Sequence, residues 1–98
     1  MTEPRALQLH PDDDVAVALQ DLIPGTVCAV AGTAGAQSLP VAENVPACHK
    51  IALRDMPAGA VVRKYGEVIG VARTAIRRGS HVHVHNIVSR RAQGCAAG

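Results

Sequence analysis

Three of the five histidines in this 98-residue chain, His81, His83 and His85, alternate within RGSHVHVHNIV, residues 78 to 88. Imidazole binds divalent metals and exchanges protons near neutral pH. In an extended strand the side chains alternate between faces, so the three rings share one face while Val82 and Val84 take the other. Same-face neighbours at i and i+2 stand about 6.5 to 7 Å apart, near enough for two ring nitrogens to converge on one ion, whereas i and i+4 are about 13 Å apart. A single ion therefore takes His83 with either His81 or His85. Asn86 falls on the opposite face of a regular strand, where a turn or a hydrogen bond suits its amide. The plain alternative is a solvated face on which histidines replace other polar residues.

Two ligands fall short of a catalytic metal site, which normally has at least about three protein ligands and an open position. His49, in ACHKIAL, is placed to approach from a neighbouring strand, while His10, beside Pro11, reads equally well as ordinary surface. RKYGEVIG supplies Lys64, suited to clamping a carboxylate, and Tyr65, suited to proton transfer if its environment shifts it. The alternative is a tight turn at Gly66 and Gly70, with Tyr65 covering a small core. PGTVCAVAGTAG is glycine-rich but lacks both the G-K-[ST] of a phosphate loop and the spacing of a dinucleotide fingerprint.

The elements that must position these groups are mostly β. RALQLH reads as a short strand. An amphipathic helix is expected next, capped by Asp12 or Asp13, with Val15, Leu19 and Leu22 at helical spacing and Pro24-Gly25 as its stop. From Thr26 the pattern becomes short β-like pieces broken by glycine and proline: TVCAVAG, QSLPVAE, HKIALRD, AVVRKYG, EVIGVA and HVHVHNIV. RTAIRRG is read as one helical turn closed by Gly79. No repeat or long linker stands out, and SRRAQGCAAG, residues 89 to 98, reads as a flexible tail.

Length fits one small domain. Of 47 hydrophobic residues 30 are Ala or Val, and Tyr65 is the only aromatic, so an isolated fold is expected to be marginally stable and to want a partner or a second copy. Residues 1 to 49 carry one arginine against six acids, and residues 50 to 98 carry nine Lys/Arg against two acids. The histidines thus sit in the basic half, which favours an anionic ligand. Stacking aromatics are lacking, which argues against nucleic acid. No apolar run reaches the ~20 residues of a bilayer span, and the acidic start is unlike a signal peptide. The three scattered cysteines suggest neither a disulfide framework nor a zinc ribbon. A cytoplasmic protein without membrane contact is expected.

The blocks HKIAL, GAVVRKYGEVIGVA and I..GSHVHVHN, with LHPDDDVAVAL…L..G before them, resemble the N-terminal domain of the altronate and galactarate dehydratase family. They also resemble the separate small subunit of split members, including sulfolactate sulfo-lyase. The likeness runs from about Leu9 to Asn86. It implies a mostly β, SAF-type β-clip of short bent strands with one N-terminal helix, over residues 1–88. It further implies a small subunit of a metal-dependent sugar-acid dehydratase, completing the active site of a separate large subunit and acting on an anionic sugar acid. The alternatives are a sulfolactate sulfo-lyase small subunit, which expels bisulfite, and a non-catalytic carbohydrate- or partner-binding module. The cofactor implied is a divalent metal, Fe2+ or else Mn2+, shared with the large subunit. By matching position, His49-Lys50, Lys64-Tyr65-Gly66, Ile69-Gly70 and His81 to Asn86 correspond to the family's motifs; among them His81, His83 and His85 are expected as metal ligands, His49, Lys64 and Tyr65 as catalytic residues, and Lys50 and Asn86 as substrate-binding residues.

Overall fold

Valine and alanine in runs of a few residues, punctuated by glycine and proline, sustain only short strands. The computed structural model describes residues 4–32 and 35–89. Among these it contains nine strands and no helix: β1 Arg5–Gln8, β2 Val15–Ala18, β3 Val27–Gly32, β4 Gln37–Pro40, β5 Lys50–Ala52, β6 Val61–Lys64, β7 Glu67–Ala72, β8 His81–Val82 and β9 Ile87–Ser89. The larger sheet runs β4-β3-β1-β2-β5-β8 and the smaller β6-β7-β9. Among the described strands only β1 and β3 pair in parallel.

Two apolar clusters hold the strands. One lies under the larger sheet and includes Ala6, Ala18, Leu22, Val30, Leu39 and Ile51. The other joins the two sheets through Val15, Met56, Val62, Ala72, Ile76 and Val82. Neither contains an aromatic ring, so close backbone approach across small side chains substitutes for large buried surfaces.

The expected helix is absent: Val15 to Ala18 form β2, hydrogen-bonded between β1 and β5. A helix would place Val15, Leu19 and Leu22 on one face, yet Val15 and Leu22 lie in different clusters and Leu19 is half exposed. Tertiary pairing on both edges overrides the spacing. The helical turn expected in RTAIRRG is likewise replaced, by a bridge at Ile76 and a turn through Gly79. Gly79 has φ 88°, and a Cβ there would collide with the Pro40 carbonyl oxygen.

A repeat does exist, in backbone rather than sequence. Leu22, Val45, Met56 and Ile76 each bridge to a partner, Leu22 with Val45 and Met56 with Ile76. Three residues after each stands a left-handed position: Gly25 (φ 88°), Cys48 (71°), Gly59 (89°) and Gly79 (88°). Asp21 Oδ1 accepts the Ala47 N–H at 2.9 Å and Asp55 Oδ1 the Arg78 N–H at 2.8 Å, so the two halves share one plan. In the sequence the repeat leaves only a short trace, the proline of LIPG, VPAC and MPAG, which IRRG lacks. Of the tail, Ser89 ends β9, and residues 90–98 lie outside the described residues.

Candidate functional site

The site grows from the antiparallel pairing of β5 with β8. Ile51 faces His81 and Lys50 faces Val82, so continuing the register by one residue sets His49 across from His83. Alternation then puts His49, Ile51, His81 and His83 on one side of the ladder, with Ile51 anchoring it in the core. The rings follow: centroids of His49 and His83 are 4.3 Å apart and stacked, and those of His49 and His81 are 5.0 Å apart. His49 Nδ1 and His81 Nε2 are in hydrogen-bond contact at 2.8 Å. Each of the three histidines offers one nitrogen, and these atoms lie within 4.8 Å of one another.

The expected histidine strand, HVHVHNIV, is cut short. β8 ends at Val82, and residues 83 to 86 form a turn in which the Asn86 and Ile87 N–H groups both donate to the His83 carbonyl, each at 3.1 Å. The cause lies downstream, where Ile87–Ser89 must reach β7 in the other sheet. Val84 consequently is exposed rather than packed opposite the rings. The turn also folds His85 back to 5.2 Å from His81, centroid to centroid, where an extended strand would have separated them.

Asn86 holds this turn together. Its Oδ1 accepts the His83 N–H at 2.9 Å and its Nδ2 donates to the His81 carbonyl at 2.7 Å. Glu43 Oε1 accepts the His81 N–H at 2.7 Å. The outer edge of β8, which would otherwise template a further strand, is thereby occupied by two side chains that fix the histidine backbone. Sequence reasoning missed Glu43, and nothing in VAENVP marks it.

Partial burial, followed by the fields of His49, His85 and His83, pushes the His81 pKa down, against the opposing pull of Glu43. His83 is also lowered, by desolvation and then by His49, Lys50 and His85. Burial lowers the Lys50 pKa, assisted by the charge of Lys64. Lys50 therefore lies near His83, and the neutral forms of His81 and His83 are favoured, with lone pairs ready to donate.

Tyr65 stands apart. It is 72% exposed with φ 57°, at the tip of the β6–β7 hairpin, and covers no core. Its N–H and that of Gly66 donate to the two Asp13 carboxylate oxygens at 2.7 and 2.8 Å. His10 lies in the same region, its ring against Gly66, outside the histidine group. A recess of about 240 Å³ between Asp21–Ile23 and Asn44–Pro46 is walled mainly by Leu22, Ile23, Val45 and Pro46, and Asp21 already serves Ala47.

No helix among the described residues is long and apolar enough to cross a membrane. The profile of the family described as "Altronate/galactarate dehydratase SAF domain" matches residues 4–90. Altronate dehydratase of Escherichia coli (strain K12) is 44% identical over 80 residues, covering 82% of this chain and 15% of the relative. Galactarate dehydratase (L-threo-forming) of the same organism is 38% identical over 82 residues, 84% of this chain and 15% of the relative. The (2R)-sulfolactate sulfo-lyase subunit alpha of Chromohalobacter salexigens is 43% identical over 51 residues, 52% of this chain and 54% of that subunit. The chain thus spans a small fraction of the two dehydratases it matches.

Proposed function

Because the chain belongs to the altronate/galactarate dehydratase SAF domain family, we propose that it is the small component of a metal-dependent sugar-acid dehydratase, its histidines closing the active site of a separate large subunit. The observation that carries this reading is the convergence of His49, His81 and His83 at the end of a ladder, with Lys50 near His83. A donor set of three imidazoles suits Fe2+ better than the harder, oxygen-preferring Mn2+. Three protein ligands also leave positions for substrate. A two-part assembly has a parallel in the relative named as a subunit alpha, of which the matched stretch covers about half.

Dehydration of a sugar acid transfers the proton beside the carboxylate to a base, which in this reading the large subunit supplies, and expels the neighbouring hydroxyl, which leaves as water once protonated. A divalent ion supplies Lewis-acid stabilisation of the enediolate charge and polarises the hydroxyl. Lys50 and Lys64 attract and orient the substrate carboxylate, and a lysine already destabilised as a cation gains most from that pairing. In this reading His85, 5.2 Å from His81 and not among the three converging donors, hands a proton to the departing oxygen. Glu43 and Asn86 hold the ladder end against distortion.

The test combines this chain with a candidate large subunit from the same cell and follows loss of water from altronate and galactarate. Turnover only in the mixture, abolished by His83→Ala, is expected. Release of bisulfite from (2R)-sulfolactate in the same mixture would instead select the sulfo-lyase reading that the subunit alpha likeness favours. Binding without turnover in any combination would leave a non-catalytic module and overturn both.

A further inference from the structure

Beside the histidine triad lies a second recess, of about 310 Å³, lined by Glu43, Thr74, Arg77, Ser80, His85 and Asn86 among others. Its size is near the lower end of small-molecule sites, about 300 Å³. Two of its walls belong to the metal-site scaffold: Glu43 holds the His81 N–H, and Asn86 holds both His81 and His83. The recess is therefore fixed in position relative to the converging imidazoles, and His85 borders both.

Its chemistry differs from that of the triad. Thr74 and Ser80 bring hydroxyls that make no side-chain hydrogen bond among the described residues, and Glu43 uses only Oε1, leaving Oε2 to accept from a ligand hydroxyl. Arg77 is exposed and its guanidinium has no partner among the described residues. Its neighbour Arg78, by contrast, donates to the Ser38 carbonyl at 2.9 Å, and Arg54 is paired with Asp14. An uncommitted guanidinium at the mouth of a hydroxyl-lined recess fits a carboxylate at the end of a polyol, which it can grip in bidentate fashion.

Resting on the reading that the triad faces the reacting carbons, we propose that this recess binds the far end of the substrate and that Arg77 selects sugar diacids over sugar monoacids. In that arrangement Lys50 and Lys64 hold the carboxylate next to the reacting carbon, Glu43, Thr74 and Ser80 bond the intervening hydroxyls, and Arg77 takes the second carboxylate.

The experiment titrates the isotope-labelled 98-residue chain with galactarate and with galactonate, which carries CH2OH in place of the second carboxylate, while amide resonances are followed by NMR. A separate titration with Fe2+ under anaerobic conditions reads the histidines. Galactarate is expected to shift the Thr74, Arg77, Ser80 and His85 amides and to bind about tenfold more tightly than galactonate, a preference lost in Arg77→Gln. Thr74→Val should weaken both ligands alike. Equal affinity for the two acids, a preference that survives Arg77→Gln, or no shift in the recess overturns the proposal. If Fe2+ still perturbs His49, His81 and His83 in those cases, the metal reading stands and only the subsite falls; if galactarate fills the recess while Fe2+ leaves the histidines unmoved, the subsite stands and the metal reading falls.

Discussion

Two polar clusters flank the same pair of strands, and they are built on opposite principles. Asp13 and Asp14 precede β2, where its partner β5 ends, and both are buried. All four of their carboxylate oxygens are engaged: Asp13 by the N–H groups of Tyr65 and Gly66, Asp14 by the Arg63 N–H at 2.8 Å and Arg54 Nε at 2.6 Å. At the other end, where β5 begins, His49, His81 and His83 share one ring-to-ring hydrogen bond and each offers a nitrogen, the three within 4.8 Å of one another about a common point. A cluster whose hydrogen-bonding capacity is filled from within acts as a staple. One whose capacity is left open is available to a ligand.

The comparison predicts that mutation separates stability from ligand affinity. The largest effect belongs to the acids. Asp14→Ala strips a guanidinium and a backbone N–H of their acceptor, and unfolding in urea should show a loss of about 3 kcal/mol. Fe2+ affinity of the folded fraction should stay unchanged. If Asp14→Ala instead spared stability and abolished metal binding, the two clusters would have exchanged roles.

Next comes the triad. His83→Ala removes one of three convergent donors, and calorimetry should find Fe2+ affinity lowered about a hundredfold, some 2.7 kcal/mol. Unfolding stability should move by less than about 0.5 kcal/mol, as for other positions outside a packed core. His10→Ala, at the acidic end, should leave metal affinity alone.

The same contrast explains what could be read before the fold was seen. Strands were legible because glycine and proline delimit them, and most pieces after Thr26 became β3 to β9. The alternation of His81 with His83 was legible because a two-residue strand suffices to create it. The stretch VAVALQDL misled, since its helical spacing says nothing of the two neighbours that claim β2 from either side. Closure of the triad by His49 depends on the β5–β8 register, a contact across 32 residues that no local pattern encodes. The return of His85 depends on where Ile87 must go. Tyr65 stands out in the sequence for the proton its phenol can exchange, while its place at the hairpin tip is set by a backbone N–H, which no side-chain pattern encodes.

A smaller effect follows from protonation. His81 and His83 have folded-state pKa values lowered below the usual value for histidine, so the unfolded chain binds their protons first as pH falls. The folded state therefore keeps its full share of this stability above about pH 6.5 and loses it progressively as pH drops through that value toward the lowered ones. Urea midpoints at pH 7.5 and 5.5 should show the decline, and the double variant His81→Gln, His83→Gln should flatten it. A decline of undiminished size in that variant would trace it to groups outside the triad.

The smallest effect concerns the turn that carries His49. Of the four equivalent left-handed positions three are glycine and one is Cys48, at φ 71°. A side chain in that conformation costs roughly 1 to 2 kcal/mol, while glycine returns about 0.5 to 1 kcal/mol of that through the greater freedom of the unfolded chain. Cys48 is exposed and its thiol makes no hydrogen bond among the described residues, so little is lost with it. Cys48→Gly should thus raise stability by about 0.5 kcal/mol in urea unfolding. The Cys48 N–H bond to the Ala18 carbonyl at 2.8 Å, and that of the Ala18 N–H to the His49 carbonyl at 2.8 Å, are backbone bonds that glycine preserves, so His49 keeps its place. Fe2+ affinity should be unchanged. A stabilised variant that bound Fe2+ markedly more weakly would mean that the strained cysteine, and not the ladder alone, aims His49 at the common point, and the division between a self-contained acidic end and an open histidine end would then have to include this turn.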